Sequence, residues 1–243
     1  IWSDQNARRS SFGAIALSTL NRFHSATAVG SGASSDTNAL RANGASLLKR
    51  LVACRDQIVA NSRPFIRPGI TILTHGFSRV VCGILLAHRD VTFRLLVAEG
   101  KPFDYGERTE RFLREHGARF SIERIFDTSV AYRMKEVDFV LVGSQMVVMT
   151  GGSINSVGSY GIALTAKCFD VPVYVAAECF KFYNHFPIEQ QDANMGLPPV
   201  EVNGIKTVLY DYTPPELISL LFTDLAVFTP SAVADELIKL YGM

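Results

Sequence analysis

Residues that could bind a ligand or transfer a proton follow one of the first strongly apolar runs of this 243-residue chain. The segment 74–79 (THGFSR) comes directly after the apolar residues 70–73. Within it, His75 has the chemistry to orient a substrate or to act as a base, Ser78 offers a hydroxyl, and Arg79 can pair with a phosphate. A lone histidine is also typical of a buried residue that bonds to a neighbouring backbone group. The sequence leaves both interpretations of His75 open.

Two further segments combine glycine with polar residues. The triplet GSQ, which ends in Gln145, follows the apolar run 139–142. A glycine-rich stretch begins at residue 150 and leads into a predicted helix over 160–169, and its candidate ligand contacts are Gly151, Gly152, Asn155 and Ser159. Backbone N–H groups in such a stretch can bind an anion at a helix start, although tight turns use the same residues.

The sequence lacks the short motifs of the common enzyme classes. It contains no GxSxG, GxxxxGK[ST], GxGxxG or HExxH pattern, and its cysteine and histidine spacing suits no zinc site. The four cysteines form no CxxC pair, which favours buried free thiols in a reducing compartment. We therefore expect no metal and no cofactor.

Short apolar runs alternate with amphipathic stretches through the last two thirds of the chain. The predicted strands cover residues 70–73, 92–98, 120–125, 139–142, 173–177 and 225–228. The predicted helices lie near 78–88, 105–116, 129–136, 160–169, 214–222 and 230–241. This alternation is typical of an α/β protein with a doubly wound, Rossmann-like parallel sheet, in which ligands bind outside the carboxyl ends of the strands.

The last two helices have the clearest predicted starts. The segment 213–216 (TPPE) combines a hydroxyl cap, proline and a glutamate in the pattern of a capping box. Thr229 followed by Pro230 repeats the first part of that pattern.

The first third of the chain differs in texture and charge. A small-residue loop over 25–37 precedes a predicted helix that ends before Pro64, so we place a domain boundary near residue 67. Residues 1–67, the N-terminal helical region, hold 9 Lys and Arg against 3 Asp and Glu, whereas residues 68–243 hold 15 against 20. Such segregation indicates an anionic partner, or else a helix with an arginine-rich solvated face.

Composition bounds the class of protein and its location. A net charge of +1 argues against a general nucleic-acid binder, and 48% hydrophobic residues indicate a globular chain. The most apolar stretch, 137–149, is too short and too polar to cross a membrane, and no signal peptide is visible, so we expect a cytoplasmic protein. Because the chain begins with Ile1, we also expect its N-terminal region to be incomplete.

Four segments, in consistent order, resemble a known family. They are GITILTHGFSRVV (69–81), DFVLVGSQMVVMTGGSINSVGSYGIALTAK (138–167), VPVYVAAECFKF (171–182) and DYTPPELISLLFTDLAVFTPSAVADELIKLY (211–241). This pattern is similar to the family that unites the alpha, beta and delta regulatory subunits of translation initiation factor 2B with ribose-1,5-bisphosphate and methylthioribose-1-phosphate isomerases. The strings THGFSRVV, AECFKF, QQD and TPSAVADELIKLY resemble its alpha branch most.

The resemblance also separates the regulatory subunits from the enzymes. The isomerases of the family carry a cysteine in a THCN-like pattern and an aspartate in a GAD pattern, and both take part in proton transfer. The matching positions here are Gly76 and Gln145, neither of which exchanges a proton near neutral pH. Asn155 is retained from an Asn-Lys pair, but Ser156 replaces the lysine. The resemblance therefore implies a non-catalytic chain rather than an active isomerase.

The resemblance further implies a regulatory subunit of the guanine nucleotide exchange factor for initiation factor 2. The implied partners are the other subunits, initiation factor 2 in its phosphorylated form, and a second copy of the chain, with no direct nucleic acid and no membrane. The predicted contacts to the phosphorylated partner are Arg41, Arg50 and Arg55. The predicted dimer surface is Leu217, Leu220, Leu221 and Phe222, with burial in the chain's own core as the alternative.

Two alternatives are expected for the family's sugar-phosphate pocket in this chain. Either it still binds a phosphorylated small molecule, such as a sugar phosphate or a nucleoside monophosphate, or it is an empty, collapsed remnant. The residues of this pocket are His75, Gly76, Ser78, Arg79, Gln145, Gly151, Gly152, Asn155 and Ser159.

Overall fold

The computed structural model of the chain describes Ala45, Lys49, residues 53–194 and residues 196–241. Its strands, in chain order β1 to β13, are Thr71–Thr74, Arg94–Ala98, Ser121–Ile125, Phe139–Gly143, Met146–Val148, Ser153–Ser156, Val173–Ala176, Phe182–Tyr183, Val200–Val202, Ile205–Thr207, Tyr210–Thr213, Leu220–Phe222 and Val227–Phe228. Its helices α1 to α6 are 53–62, Arg79–Ala87, Tyr105–Glu115, Val130–Arg133, Ser159–Cys168 and Pro230–Tyr241. Short 3₁₀ turns cover Arg63–Phe65, Asp127–Ser129, Met134–Glu136, Cys179–Lys181, Gln190–Asn194 and Pro215–Leu217.

Seven strands form the main sheet, in the order β13-β12-β7-β4-β1-β2-β3. Every neighbouring pair is parallel except β12 with β13, which are antiparallel. The order reverses direction beside β1, which is the arrangement of a doubly wound sheet. The predicted fold class is confirmed.

Alternate residues of the strands are buried on opposite faces of this sheet. Leu73 and Val140 belong to one apolar cluster with residues of α5 and α6. Ile72 and Leu141 belong to a second cluster with residues of α1, α2 and α3. Helices therefore cover both faces, which explains why the strands read as continuous apolar runs rather than as an alternating pattern.

The prediction of a helix over residues 214–222 is wrong. Thr213 pairs with Ser153 as the last residue of β11, and only Pro215–Leu217 forms a 3₁₀ turn. The following apolar residues join the main sheet as β12, beside β7. Pairing with a buried strand outweighs the local capping signal, because it buries this apolar run on both faces of the sheet.

The last strand is shorter than predicted because a turn occupies residues 223–226. The Thr223 hydroxyl accepts hydrogen bonds from Leu225 N at 3.2 Å and Ala226 N at 3.1 Å. This turn reverses the chain and makes β13 an antiparallel edge strand.

A second sheet, in the order β11-β6-β5-β8, projects beyond the carboxyl end of β4. The sequence predicts a glycine-rich loop here, whereas β5 and β6 form an antiparallel hairpin and β6 leads into α5. Strands β9 and β10 form a separate hairpin. The four-stranded sheet positions most of the candidate site.

The described end of the N-terminal region packs on the α/β body. Ile58 of α1 is fully buried in the cluster that covers one face of the main sheet, and Asn61 Nδ2 donates to Thr223 O at 2.8 Å. The domain boundary near residue 67 stays a prediction.

Candidate functional site

The predicted ligand residues lie around the carboxyl ends of β1 and β4 and along the β5–β6 hairpin. His75 directly follows β1, and Gln145 lies between β4 and β5. Asn155 lies on β6, and Ser159 is the first residue of α5. Strand order places these elements at the edge where ligands bind in doubly wound proteins.

His75 is buried, with 3% of its surface exposed, and its Nε2 atom lies 3.0 Å from Val157 O. In that contact Nε2 donates to the carbonyl, which leaves Nδ1 unprotonated, and Nδ1 has no partner within the described structure. Burial lowers the pKa of His75, and the Val157 carbonyl and Asp127 oppose this effect only in part. His75 is therefore neutral at physiological pH. Its bond to a backbone carbonyl agrees with the interpretation of His75 as a buried structural residue.

Ser78, at the start of α2, lies close to Gly143, the last residue of β4. Ser78 is the N-cap of α2, where its hydroxyl accepts from Val81 N at 3.4 Å. A β-carbon on Gly143 would lie 2.5 Å from the Ser78 Oγ atom, so only glycine fits there. Gly76 has a left-handed φ of +75°, and its carbonyl accepts from the Thr109 hydroxyl at 2.8 Å. Arg79 is exposed at the start of α2.

Gln145 is half-buried, and its backbone N–H donates to Ile154 O at 2.9 Å across the β5–β6 hairpin. The neighbouring Ser144 is buried, and its hydroxyl donates to Met146 O at 2.8 Å and accepts from the Ser153 hydroxyl at 2.8 Å. This segment is thus a hydrogen-bonded hairpin base.

Gly151 and Gly152 form the tight turn of that hairpin. Gly151 N donates to Val148 O at 2.8 Å, and Gly152 N lies 3.3 Å from the Thr150 hydroxyl. A side chain at Gly151 would overlap the backbone of Pro230. The predicted anion-binding role is not supported at these two residues, because internal partners occupy their N–H groups.

Asn155 and Ser159 contact each other. Asn155 Nδ2 donates to Ser159 Oγ at 3.1 Å, and the Ser159 hydroxyl donates to Ser156 O at 2.8 Å. Both side chains are buried. The structure brings them together with His75 through the loop 156–158, because His75 bonds to Val157 and lies against Gly158.

Asp211 belongs to this site, although no sequence motif marks it. Its Oδ2 atom accepts from Gly158 N at 2.7 Å and Tyr160 N at 3.0 Å, at the start of α5. Burial raises the pKa of Asp211 to about 6, against the opposing effect of these two hydrogen bonds. No local sequence pattern connects Asp211 with these two N–H groups, which lie 53 and 51 residues earlier in the chain.

A cavity of about 410 Å³ opens beside His75. Gly158, Gly161 and Thr165 of the α5 region line one part of it, and Lys101 and Asp127 line another. Asp127 accepts from Gly100 N at 3.0 Å and Lys101 N at 2.8 Å. The polar groups of this lining are threonine hydroxyls, a neutral imidazole, one exposed lysine and the Asp127 carboxylate, and valine, alanine and isoleucine side chains add apolar surface. Of the predicted ligand residues, only His75 lines this cavity directly.

The predicted partner contacts are only partly within the described structure. Arg41 and Arg50 lie outside the described residues. Arg55 lies on α1, and its Nε atom is 3.6 Å from the buried carboxylate of Glu178. Arg55 thus has an internal ion-pair partner.

The predicted dimer residues are largely internal. Leu221 and Phe222 have no exposed surface, and Leu217 and Leu220 are partly buried against the two apolar clusters of the main sheet. Leu221 and Phe222 offer no surface to a second chain in this conformation. The alternative reading, burial in the chain's own core, is the one the structure supports for these two.

Across residues 53–194 and 196–241, no group of three or more His, Cys, Asp or Glu side chains is arranged to hold a metal ion. None of the described helices is long and apolar enough to span a membrane.

Comparisons with known proteins agree with the resemblance seen in the sequence. The model of the initiation factor 2 subunit family matches residues 12–230. Translation initiation factor eIF2B subunit alpha from Dictyostelium discoideum is 40% identical over 217 residues, which are 82% of this chain and 67% of the relative. The protein of the same name from Caenorhabditis elegans is 34% identical over 209 residues, covering 83% and 68%.

The fold has a close counterpart among solved structures. A chain of the tetrameric eIF2B-beta2-delta2 complex from C. thermophilum superposes with a TM-score of 0.74 at 20% identity, covering 96% of this chain and 74% of that one. At this identity the likeness establishes the fold, and the sequence relatives establish the family. The chain therefore belongs to the initiation factor 2 subunit family.

Proposed function

We propose that the chain is a regulatory, non-catalytic subunit of translation initiation factor 2B, the guanine nucleotide exchange factor for initiation factor 2. The observation that carries this proposal is the 40% identity to an alpha subunit over most of the chain. In this role the chain helps to assemble the complex and to sense the phosphorylated form of initiation factor 2.

The side chains at the candidate site favour this role over an isomerase. Gly76 and Gln145 stand where the family's isomerases have their cysteine and aspartate, so neither position supplies an acid or a base. The remaining histidine, His75, is buried, neutral and bonded to a carbonyl. Aldose–ketose conversion needs two proton transfers, and these residues do not provide them.

Co-purification tests the proposal directly. The tagged full chain, expressed with the other subunits, should retain them, and the complex should bind phosphorylated initiation factor 2 more tightly than the unphosphorylated form. Failure to retain the sister subunits would contradict the proposal. Turnover of ribose-1,5-bisphosphate or methylthioribose-1-phosphate by the purified chain would support the isomerase instead.

A homodimer is part of the same proposal, with a contact surface different from the one expected from the sequence. Phe186 and Ile188 after β8, and Ile205 on β10, are 65%, 88% and 71% exposed. Contact of these side chains with a second chain would remove their apolar surface from water. Ile188→Glu should convert a dimer to a monomer in sedimentation experiments, whereas Leu164→Glu on the exposed side of α5 should not.

We also propose that the cavity beside His75 binds a phosphorylated small molecule. Its support is an open volume of about 410 Å³ that both polar and apolar residues line. Isothermal titration with sugar phosphates and nucleoside monophosphates tests this, and absence of binding at millimolar concentration would contradict it.

A further inference from the structure

Asp211 occupies the place that an anionic ligand would take at the start of α5. Its Oδ2 atom accepts hydrogen bonds from Gly158 N at 2.7 Å and from Tyr160 N at 3.0 Å. A helix leaves such N–H groups unpaired at its start, and these are the donors that bind phosphate in helix-start sites. The chain therefore supplies its own anion to these donors, and one of them belongs to Gly158, which lines the pocket beside His75.

A second wall of the pocket is occupied in the same way. The Asp127 carboxylate accepts from Gly100 N at 3.0 Å and Lys101 N at 2.8 Å, in the loop after β2. Lys101 and Asp127 both line the pocket. Backbone donors on two sides are thus bonded to carboxylates of the chain itself.

The contact at α5 is held at an energetic cost. Asp211 is buried, and its Oδ1 atom has no hydrogen-bond partner in the described part of the chain. Burial accordingly raises the pKa of this carboxyl to about 6. A carboxylate held in this way is easier to displace or neutralise than an exposed cap would be.

Few charged groups surround Asp211. The residue paired with Asp211 on strand β6 is the neutral Asn155, and the start of α5 contributes the two N–H donors. On the other side of β11, the neutral amide side chains of Gln190 and Asn194 bond to Tyr212 and Tyr210, the neighbours of Asp211 in the chain. The titratable groups of the adjoining pocket are His75, Lys101 and Asp127. Backbone hydrogen bonds and burial, rather than ion pairs, account for the pKa of Asp211.

We propose that Asp211 is an autoinhibitory contact, which keeps anionic ligands away from the start of α5 until it releases Gly158 N and Tyr160 N. This inference rests on the proposed ligand pocket. A phosphate or sulfate group that approaches these donors meets both the occupied N–H groups and the charge of Asp211. Removal of that charge should therefore tighten anion binding.

The test compares Asp211→Asn with the wild-type full chain, using sulfate as the probe because its charge is constant between pH 5 and 8. Asparagine retains an oxygen that can accept from the two N–H groups but has no negative charge. Asp138→Asn is the matched control. Asp138 is exposed and likewise accepts a hydrogen bond from a backbone N–H group, that of Thr71 at 2.7 Å, where β1 begins. The backbone amide shifts of Gly158 and Tyr160 report binding at the site and also report correct folding of each variant.

At pH 7.5 the Asp211→Asn chain should bind sulfate roughly 10-fold more tightly than the wild type, as expected for loss of one unit of buried repulsion. Asp138→Asn should match the wild type, and binding of uncharged sorbitol should be equal in all three chains. Equal sulfate affinity in the wild type and Asp211→Asn, or no sulfate binding by either, would overturn the proposal.

A second measurement uses the wild type alone. Its sulfate affinity should increase as the pH falls from 7.5 to 5.5, while that of Asp211→Asn stays constant. A pH dependence that persists in Asp211→Asn would also overturn the proposal. Failure of the regulatory role would appear instead as loss of co-purification with the sister subunits, so the two results are distinguishable.

Discussion

Arg55 and Glu178 join helix α1 to the segment after β7, with Arg55 Nε 3.6 Å from Glu178 Oε1. Glu178 is buried and also pairs with Lys181, whose Nζ atom lies 2.9 Å from its other oxygen. Burial alone would raise the pKa of Glu178, but Lys181 and Arg55 outweigh it, so the pKa is lowered. Glu178 is therefore an ionised, buried counter-charge for α1.

Reversal of the charge at Arg55 should destabilise the chain. Arg55→Glu places a second carboxylate beside Glu178, and because Arg55 is partly exposed we expect a loss of about 1 kcal/mol in the free energy of unfolding. Urea denaturation measures this loss. Arg63→Glu, a charge reversal at an exposed residue nearby, should change stability by less than about 0.5 kcal/mol.

The same pair of variants tests the predicted contact with phosphorylated initiation factor 2. If Arg55 contacts the phosphorylated partner, Arg55→Glu should weaken inhibition at temperatures where the complex remains fully folded. Unchanged inhibition under those conditions would assign Arg55 a structural role only.

Gly151 and Gly117 allow a comparison of two glycines with the same backbone conformation. Their φ angles are +82° and +81°, but a side chain at Gly151 would overlap the Pro230 backbone, whereas nothing lies within 4 Å of one at Gly117. Gly117→Ala should cost about 1 kcal/mol from backbone strain, and Gly151→Ala should cost about 3 kcal/mol or more. Thermal unfolding measures both, and equal costs would refute the close contact between the hairpin turn and α6.

Asp211 should make the stability of the chain fall as the pH rises. Its pKa is about 6 in the folded chain and 3.8 as the ordinary value, so the folded state binds the proton more tightly. The stabilisation is present below pH 4 and is lost as the pH rises through 6, with a magnitude of about 3 kcal/mol as an upper figure. Asp211→Asn should remove this component of the urea-unfolding profile, whereas Asp90→Asn, at an exposed position, should leave it intact.

Asn194 should be required for the outer edge of the four-stranded sheet. Its Oδ1 accepts from Leu209 N and Tyr210 N, both at 3.2 Å, and its Nδ2 donates to Tyr210 O at 3.0 Å. Asn194→Ala leaves these groups without partners and should cost about 2 kcal/mol. Hydrogen exchange at Leu209 and Tyr210 should then accelerate; Gln191→Ala, on the exposed side of the same turn, is the control and should leave exchange unchanged.

The strands of the main sheet were predictable because buried parallel strands leave long apolar runs in the sequence. The strand that begins at Leu220 was not predictable, because the capping pattern before it indicates a helix. Its pairing with β7 joins residues far apart in the sequence, which a local pattern does not reveal. The sequence predicts two alternative roles for His75, and the bond of its Nε2 atom to the Val157 carbonyl favours the structural one. Asp211 escaped notice because its role depends on two N–H groups more than fifty residues away, a distance no spacing rule covers.

The role of the glycines shows the same limit. Gly151 and Gly152 have the composition of an anion-binding loop, but their internal partners are set by the hairpin and by the position of Pro230. Glycine in the sequence indicates which backbone conformations a segment can adopt. Whether its N–H groups are free to bind a ligand depends on tertiary packing.

Three polar contacts join α1 to chain segments that leave the main sheet at the same edge. Cys54 donates to Asp224 at 3.3 Å, Arg55 pairs with Glu178, and Asn61 bonds to Thr223. These partners follow β7 and β12, two adjacent strands of the main sheet. A shift of α1 would therefore reach the carboxyl ends of two neighbouring strands together.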